Sequence, residues 1–257
     1  TPCWTTIPNT RMIDAIPQSD DDVATTGGSV DHAAVRNIFR RTPASYGRVL
    51  RCTTLGMDLW WQRRMFRFIP PDRTYARILD LGSGTGNMTL GLAKRFPRSE
   101  IVGIDLTPEN VEYARARALR AGHDNVRFCC MPIEELGELP GTFDLVTGSF
   151  IPKLIDVLVL AQDSVAKVNS GGVIVIHDFT LPENRFLLRG FNWYWCISSR
   201  LLSRPSTWKP SADYLGMIIR QTTWVTDLDR AVTVNGFTIT CRESQPLQIA
   251  TIISAEK

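Results

Sequence analysis

Three sets of residues carry groups able to do chemistry. The first is ILDLGSGTGN, residues 78–87, an apolar run that ends in Asp80 and continues through Gly82, Gly84 and Gly86. The run reads as a buried strand, and the glycines permit a tight turn and close ligand approach ahead of a helix. That is the layout of a nucleotide site. The spacing is G-x-G-x-G, not the G-x-G-x-x-G that seats a pyrophosphate on a helix N-terminus, so a dinucleotide is disfavoured. Asp80 repels phosphate and suits a ligand with an ammonium or sulfonium charge. S-adenosylmethionine carries both cations and no phosphate. The second set is Asp105, which ends the apolar run EIVGID about twenty residues on, where an acid accepts hydrogen bonds from ribose hydroxyls. A plainer role is open to both acids, as caps of the helices that follow them.

The third set is His177 and Asp178, at the end of the apolar run VIVIHD. A histidine at a strand's carboxyl edge titrates near neutrality and can take a proton from a bound ligand, and an adjacent acid can orient or charge it. Neighbouring strand residues point to opposite faces, so one of the pair meets the ligand and the other anchors the next loop. Tyr46, Lys153, Tyr214 and Arg220 are further candidates for donating to or polarising a ligand oxygen. His32 and His123 read as surface residues.

These groups need elements to hold them. Strands are expected near 77–81, 100–105, 126–130, 143–148 and 172–178, with helices near 86–96, 108–121 and 152–168 between them. Such alternation builds a doubly wound, mostly parallel sheet. In TPENVEYARARALRAG, Thr107 can cap, Pro108 suits the first turn, Glu109 favours the positive end and Gly122 closes the helix. Its Arg115, Arg117 and Arg120 read as a solvated face. After the fifth strand comes an aromatic helical insert with a second helix around 211–220, then a helix near 226–235 and the strands FTITCRES and LQIATIIS.

The chain has 257 residues, 44% hydrophobic and 21% charged, which suits one sizeable α/β core. A formal net charge of +3 with scattered basic residues argues against nucleic acid as a partner. No apolar run is long enough to span a bilayer. Six cysteines with no C-x-x-C pair read as free thiols in a reducing cytoplasm, with no structural metal. Residues 1–29, rich in Thr, Pro and acids, are expected to form a disordered tail. One domain then covers 30–257: a helical lid (30–75), a cofactor-binding core (76–181), the helical insert (182–222) and closing elements (223–257). LWWQRRMFRF and FNWYWCISS each suit either a core face or a membrane surface.

The motifs LDLGSGTG, VGIDLTPEN and FDLVTGSF resemble those of the class I S-adenosylmethionine-dependent methyltransferases. TLGMDLWWQRR, GGVIVIHDFTLPENRFLLR and YLGMIIR resemble the branch that C-methylates ubiquinone and menaquinone precursors. The resemblance implies a Rossmann-like sheet of seven strands with the last antiparallel. It places Asp80 near the methionine amine and Asp105 on the ribose. It also implies a quinol-like acceptor with a prenyl tail, held between the early helices and the insert. The cofactor site then draws on Asp80, Gly82, Ser83, Gly84, Gly86, Asp105, Leu106, Met131, Ile133 and Ser149, and the chemistry on His177, Lys153 and Tyr46. The chain departs from the branch at Gly47 and Leu50, where Asp and Asn are usual, and at Lys153, where Arg is usual. It departs again at Pro132, which leaves the adenine to the Ile133 amide and Met131, and in a last strand without Gly-Gly or His. A soluble aromatic acceptor and a non-catalytic scaffold stay open as alternatives. So do peripheral membrane contact and a homodimer.

Overall fold

The structure, a computed structural model, describes residues 51–152, 166–202, 219–220 and 222–257. Through them run α1 (Met57–Met65), β1 (Arg77–Leu81), α2 (Asn87–Arg95), β2 (Glu100–Asp105), α3 (Pro108–Ala121), β3 (Val126–Cys130), β4 (Phe143–Ser149), β5 (Val168–Phe179), α4 (Arg185–Leu202), α5 (Trp224–Val234), β6 (Thr238–Ser244) and β7 (Ala250–Glu256). The expected tail, the lid up to residue 50 with Tyr46, Lys153, Tyr214 and most of the helix expected near 152–168 lie outside the described residues.

The strands form one sheet in the order β3-β2-β1-β4-β5-β7-β6. β1 pairs in parallel with β2 and β4, β2 with β3, and β4 with β5, whereas β7 runs antiparallel to β5 and β6. This is the doubly wound, mostly parallel seven-stranded sheet expected from the sequence. The chain steps outward from β1 to β3 and then returns to β4 on the other side of β1. The connections leaving β1 and β4 therefore diverge, and a crevice opens beyond the carboxyl ends of these two strands.

Alternation along the strands sorts side chains to two cores. Leu79, Leu81, Val102, Ile104, Val146, Ile174 and Ile176 pack with Trp224 and Leu228 of α5. Ile78, Ile101, Leu145, Val173 and Val175 face Met88 and Leu92 of α2 and Met65 of α1. A third cluster, with Trp61, Phe150, Phe179, Phe191 and Trp195, joins α1 and α4 to the carboxyl edge. Arg64 Nε donates to Glu243 Oε1 on β6 at 2.5 Å, and Arg95 Nη1 to the Phe66 carbonyl at 2.5 Å, which fixes α1 over the sheet.

Two strand boundaries differ from expectation. β5 starts at Val168 rather than near 172, because a bulge carries its pairing from Phe143↔Val168 to Leu145↔Val173 past Gly171, whose φ is +75°. β7 starts at Ala250 rather than Leu247, because Pro246–Gln248 form a tight turn in which Leu247 and Gln248 take φ of 64° and 58°. At α3, Thr107 precedes the helix without a side-chain cap bond, and Gly122 ends it in the left-handed conformation.

Candidate functional site

The glycine loop leaves β1 at the crevice. Gly82 takes φ of +58°, and a Cβ there would lie 1.9 Å from Ile151 Cδ1, so any other residue would be strained and would have to displace Ile151. At Gly84, also left-handed, an added Cβ would meet nothing nearer than the Gly82 oxygen at 3.9 Å, so this side of the loop is open. The Ser83 amide donates to the Ile104 carbonyl at 2.8 Å, which pins the loop to β2. Ser83 Oγ is buried without a hydrogen-bond partner among the described residues. Buried polar groups are nearly always satisfied. An open backbone beside an unsatisfied hydroxyl therefore fits a polar ligand.

Asp80 stands one residue before the end of β1, just below this loop, 1% exposed. Register brings it beside Thr147 on β4, whose hydroxyl donates to Oδ1 at 2.8 Å, while Thr89 of α2 donates to Oδ2 at 2.6 Å. Burial pushes its carboxyl up to about 6, against the pull of the two threonine hydroxyls. In this dry setting the charge of an ionised carboxylate has long reach.

Asp105 ends the neighbouring β2. Its Oδ2 accepts the Gly84 amide at 2.8 Å, and its Oδ1 accepts the Thr107 amide at 2.9 Å and the Asn110 side chain at 3.1 Å. Burial raises this carboxyl too, opposed by the bonds from Thr107, Asn110 and Gly84. One acid thus spans the glycine loop and the start of α3. The Met131 amide donates to the Asp105 carbonyl at 3.0 Å, which sets Met131 at the end of β3 beside half-buried Leu106. Ile133, 8% exposed, opens the turn Ile133–Glu138 on the same edge.

His177 is wholly buried at the carboxyl end of β5. Its Nδ1 lies 3.3 Å from Ser149 Oγ, its register partner on β4. The Phe150 ring meets it edge-on at 4.8 Å and Trp61 lies 5.8 Å away. Phe150 holds a φ of 64°, a strained conformation for a bulky residue, and its amide donates to the His177 carbonyl at 2.8 Å. Asp178 points to the opposite side of the sheet, where its Oδ1 accepts the Phe179 amide at 2.7 Å. The structure therefore brings together Asp80, Gly82, Ser83, Gly84, Gly86 and Asp105 around one loop, with Ser149 and His177 on the adjoining β4–β5 edge. Arg220 lies apart, its guanidinium donating to Asn192 of α4 at 3.3 Å.

Sequence reading missed the residues that hold the acids. Thr89, Thr147 and Asn110 find their partners through register and helix packing, although Thr147 stands out as a hydroxyl in the apolar run FDLVTGSF. Glu109 was assigned to the helix dipole, yet its Oε2 is buried without a partner among the described residues. The solvated reading of Arg117 is corrected. It is half-buried, and it donates to the Thr85 carbonyl at 2.5 Å and to Asn87 Oδ1 at 2.8 Å, bracing the glycine loop. Arg115 likewise donates to the Phe128 carbonyl at 2.5 Å. Among the described residues no group of three or more His, Cys, Asp or Glu side chains is disposed to hold a metal ion.

With this geometry in hand, the chain compares as follows with known proteins. Residues 73–219 match the family model described as a methyltransferase domain. The chain is 32% identical over 151 residues to the ubiquinone/menaquinone biosynthesis C-methyltransferase UbiE of Geobacter sp. (strain M21), a match covering 58% of this chain and 64% of that one. A relative of the same name in Geobacter sulfurreducens is 26% identical over 230 residues, covering 87% and 88%. The chain thus spans just under two thirds of the length of the first of these relatives. Among solved structures, the magnesium protoporphyrin IX methyltransferase of Synechocystis PCC 6803 has a similar fold. Its TM-score is 0.57 at 14% identity, with 88% of this chain and 98% of that one covered.

Proposed function

Because the chain belongs to the methyltransferase-domain family, we propose that it transfers the methyl group of S-adenosylmethionine to a carbon of a quinol-type aromatic, such as a demethylated menaquinol or ubiquinol precursor. The observation that carries this reading is the pairing of Asp80 and Asp105 at the ends of adjacent strands, on either side of an open, left-handed glycine loop. The naming of its UbiE relatives supports the acceptor class.

The residues fit the cofactor. Asp80 would supply negative potential to its cationic end, Gly84 and Ser83 a polar floor, and Asp105 acceptors for its ribose. Leu106, Met131 and Ile133 would flank its adenine. When bound, S-adenosylmethionine supplies an electrophilic methyl group. The chain's own part is to bind, align and deprotonate the acceptor. Ser149 Oγ, half-buried at the end of β4, is the group through which an acceptor hydroxyl proton reaches Nδ1 of His177. Trp61 and Phe150 keep water from that nitrogen. Lys153 and Tyr46 would donate to the ring oxygens. Prenylated quinols partition into bilayers, so this acceptor class calls for access to a membrane surface.

Calorimetry with S-adenosylmethionine and S-adenosylhomocysteine on wild type and Asp105→Ala tests the cofactor. Micromolar binding, about −8 kcal/mol, that is lost in the variant is the expected result. Binding of neither ligand to the wild type would refute the reading. Transfer of labelled methyl to a demethylated quinol tests the acceptor. A soluble aromatic acceptor is the second reading, favoured by β7, whose ATIISAE carries no histidine where the quinone branch has one. Turnover of a water-soluble aromatic far above that of any quinol would select it.

A further inference from the structure

Helix α4, RFLLRGFNWYWCISSRLL, is apolar on two sides. Phe191 and Trp195, 9% and 7% exposed, belong to the buried cluster with Trp61 and Phe179. Phe186 and Trp193 are 72% and 71% exposed, and Ile197 is 37% exposed. At about 100° per residue, Phe186, Trp193 and Ile197 fall within about 40° of one another, on the side facing away from Trp195. A helix that is apolar all round is ordinarily buried all round. Here the outer stripe is exposed. The Tyr194 hydroxyl donates to the Thr53 carbonyl at 2.7 Å, which ties α4 to the segment carrying Leu55, itself 75% exposed.

Charge points to the occupant. Exposed Arg185 and Arg189 lie along one side of the stripe, Arg220 reaches that same side of the helix at Asn192, and α4 itself contains no acidic residue, exposed Glu183 lying just ahead of it. An exposed aromatic stripe bordered by arginines matches the interface of an anionic bilayer. There tryptophan and phenylalanine insert at headgroup depth while guanidinium groups stay at the phosphates. We propose that α4 docks the protein on anionic lipid through Phe186, Trp193 and Ile197, with Arg185 and Arg189 at the headgroups. This goes beyond the quinol reading, which gives the surface a use and supplies none of its evidence. α4 follows directly from β5 through the loop at 180–184, so docking would bring the His177 edge close to the bilayer.

The test is co-sedimentation of the full chain with phosphatidylcholine vesicles, with and without phosphatidylglycerol, in the absence of cofactor and acceptor. Wild type is expected to bind the anionic vesicles at least about tenfold more tightly than the neutral ones, and less tightly as salt is raised. Phe186→Ser with Trp193→Ser is expected to lose at least about tenfold in partition. Arg185→Glu with Arg189→Glu should abolish the preference for anionic lipid. All four side chains are exposed, so thermal unfolding midpoints should stay within a few degrees of wild type. Equal binding by wild type and the Phe186/Trp193 variant, or no vesicle binding, would overturn the proposal. So would a concentration-dependent dimer that the same variant abolishes without any vesicle binding, since the stripe would then face a second copy of the chain.

Discussion

Replacing Asp80 by asparagine separates what this residue does for the fold from what it does for a cationic ligand. Burial raises its carboxyl from 3.8 to about 6 in the native chain. Below pH 3.8 both native and unfolded chains carry the proton. Between 3.8 and about 6 the unfolded chain releases it first, so native stability falls as pH rises through the native value. At 1.36 kcal/mol per pH unit, the gap amounts to about 3 kcal/mol that ionised Asp80 costs the fold at pH 7.5. Asparagine keeps the shape and an acceptor for one of the threonine hydroxyls but removes the charge. Asp80→Asn is therefore expected to stabilise the protein by about 1–3 kcal/mol at pH 7.5, the lower end allowing for a lost charge-assisted bond. At pH 4 the variant should equal wild type or fall below it. In a chain of this size that gain raises the unfolding midpoint by several degrees. Binding of S-adenosylmethionine should fall at the same time, giving a more stable and less functional protein. Urea unfolding of both proteins from pH 4 to 8, with calorimetry at pH 7.5, reads all of this. A variant destabilised equally across the pH range would refute the reasoning, because Asp80 would then serve only as a hydrogen-bond acceptor.

Other perturbations follow from the same geometry. Thr147→Val removes the 2.8 Å donor to Asp80 Oδ1. It should cost about 1–3 kcal/mol and push the carboxyl above its value of about 6, seen as an upward shift in the pH of stability loss. Gly82→Ala must fold against both a φ of +58° and a 1.9 Å contact with Ile151 Cδ1. It should lose at least about 1–3 kcal/mol, and pairing it with Ile151→Ala should restore only part, as urea midpoints will report. Trp61 is wholly buried with its indole Nε1 lacking a partner among the described residues. Trp61→Phe should therefore cost much less than Trp61→Ala, for which about 3–5 kcal/mol is expected. Ser149→Ala should lower kcat at neutral pH with little change in cofactor affinity, and an unchanged pH–rate profile would remove Ser149 from the proton path.

What was legible in the sequence was local. Asp80, the three glycines and Asp105 announce themselves because a strand end, a left-handed turn and a second strand end are each written in a few consecutive residues. The donors that set their charge were not legible. Thr147 meets Asp80 only because β4 pairs with β1 in one register, and Thr89 only because α2 folds back over the same strand. The burial of His177 depends likewise on Trp61, which arrives from α1. Gly171 misled in the other direction, since it lies ahead of the strand expected near 172–178 yet sits inside β5, where the pairing with β4 shifts register.

The aromatic segments show why composition could not decide between core and surface. In LWWQRRMFRF, Trp61 is wholly buried while its neighbour Trp60 is 43% exposed with Arg64 5.3 Å from its ring, so the segment is a core face beside an exposed one. In FNWYWCISS, Trp195 is buried and Trp193 is exposed. Two residues turn a helix by about 200°, so these two tryptophans were bound to face opposite ways once either was buried. What the sequence leaves undetermined is the phase, meaning which tryptophan faces the sheet. The sheet settles it, because Phe179 and Phe150 at the ends of β5 and β4 form the apolar cluster that Trp195 joins. Trp193 is left outside by that choice, and an outward tryptophan among arginines is a feature of the fold rather than of the composition.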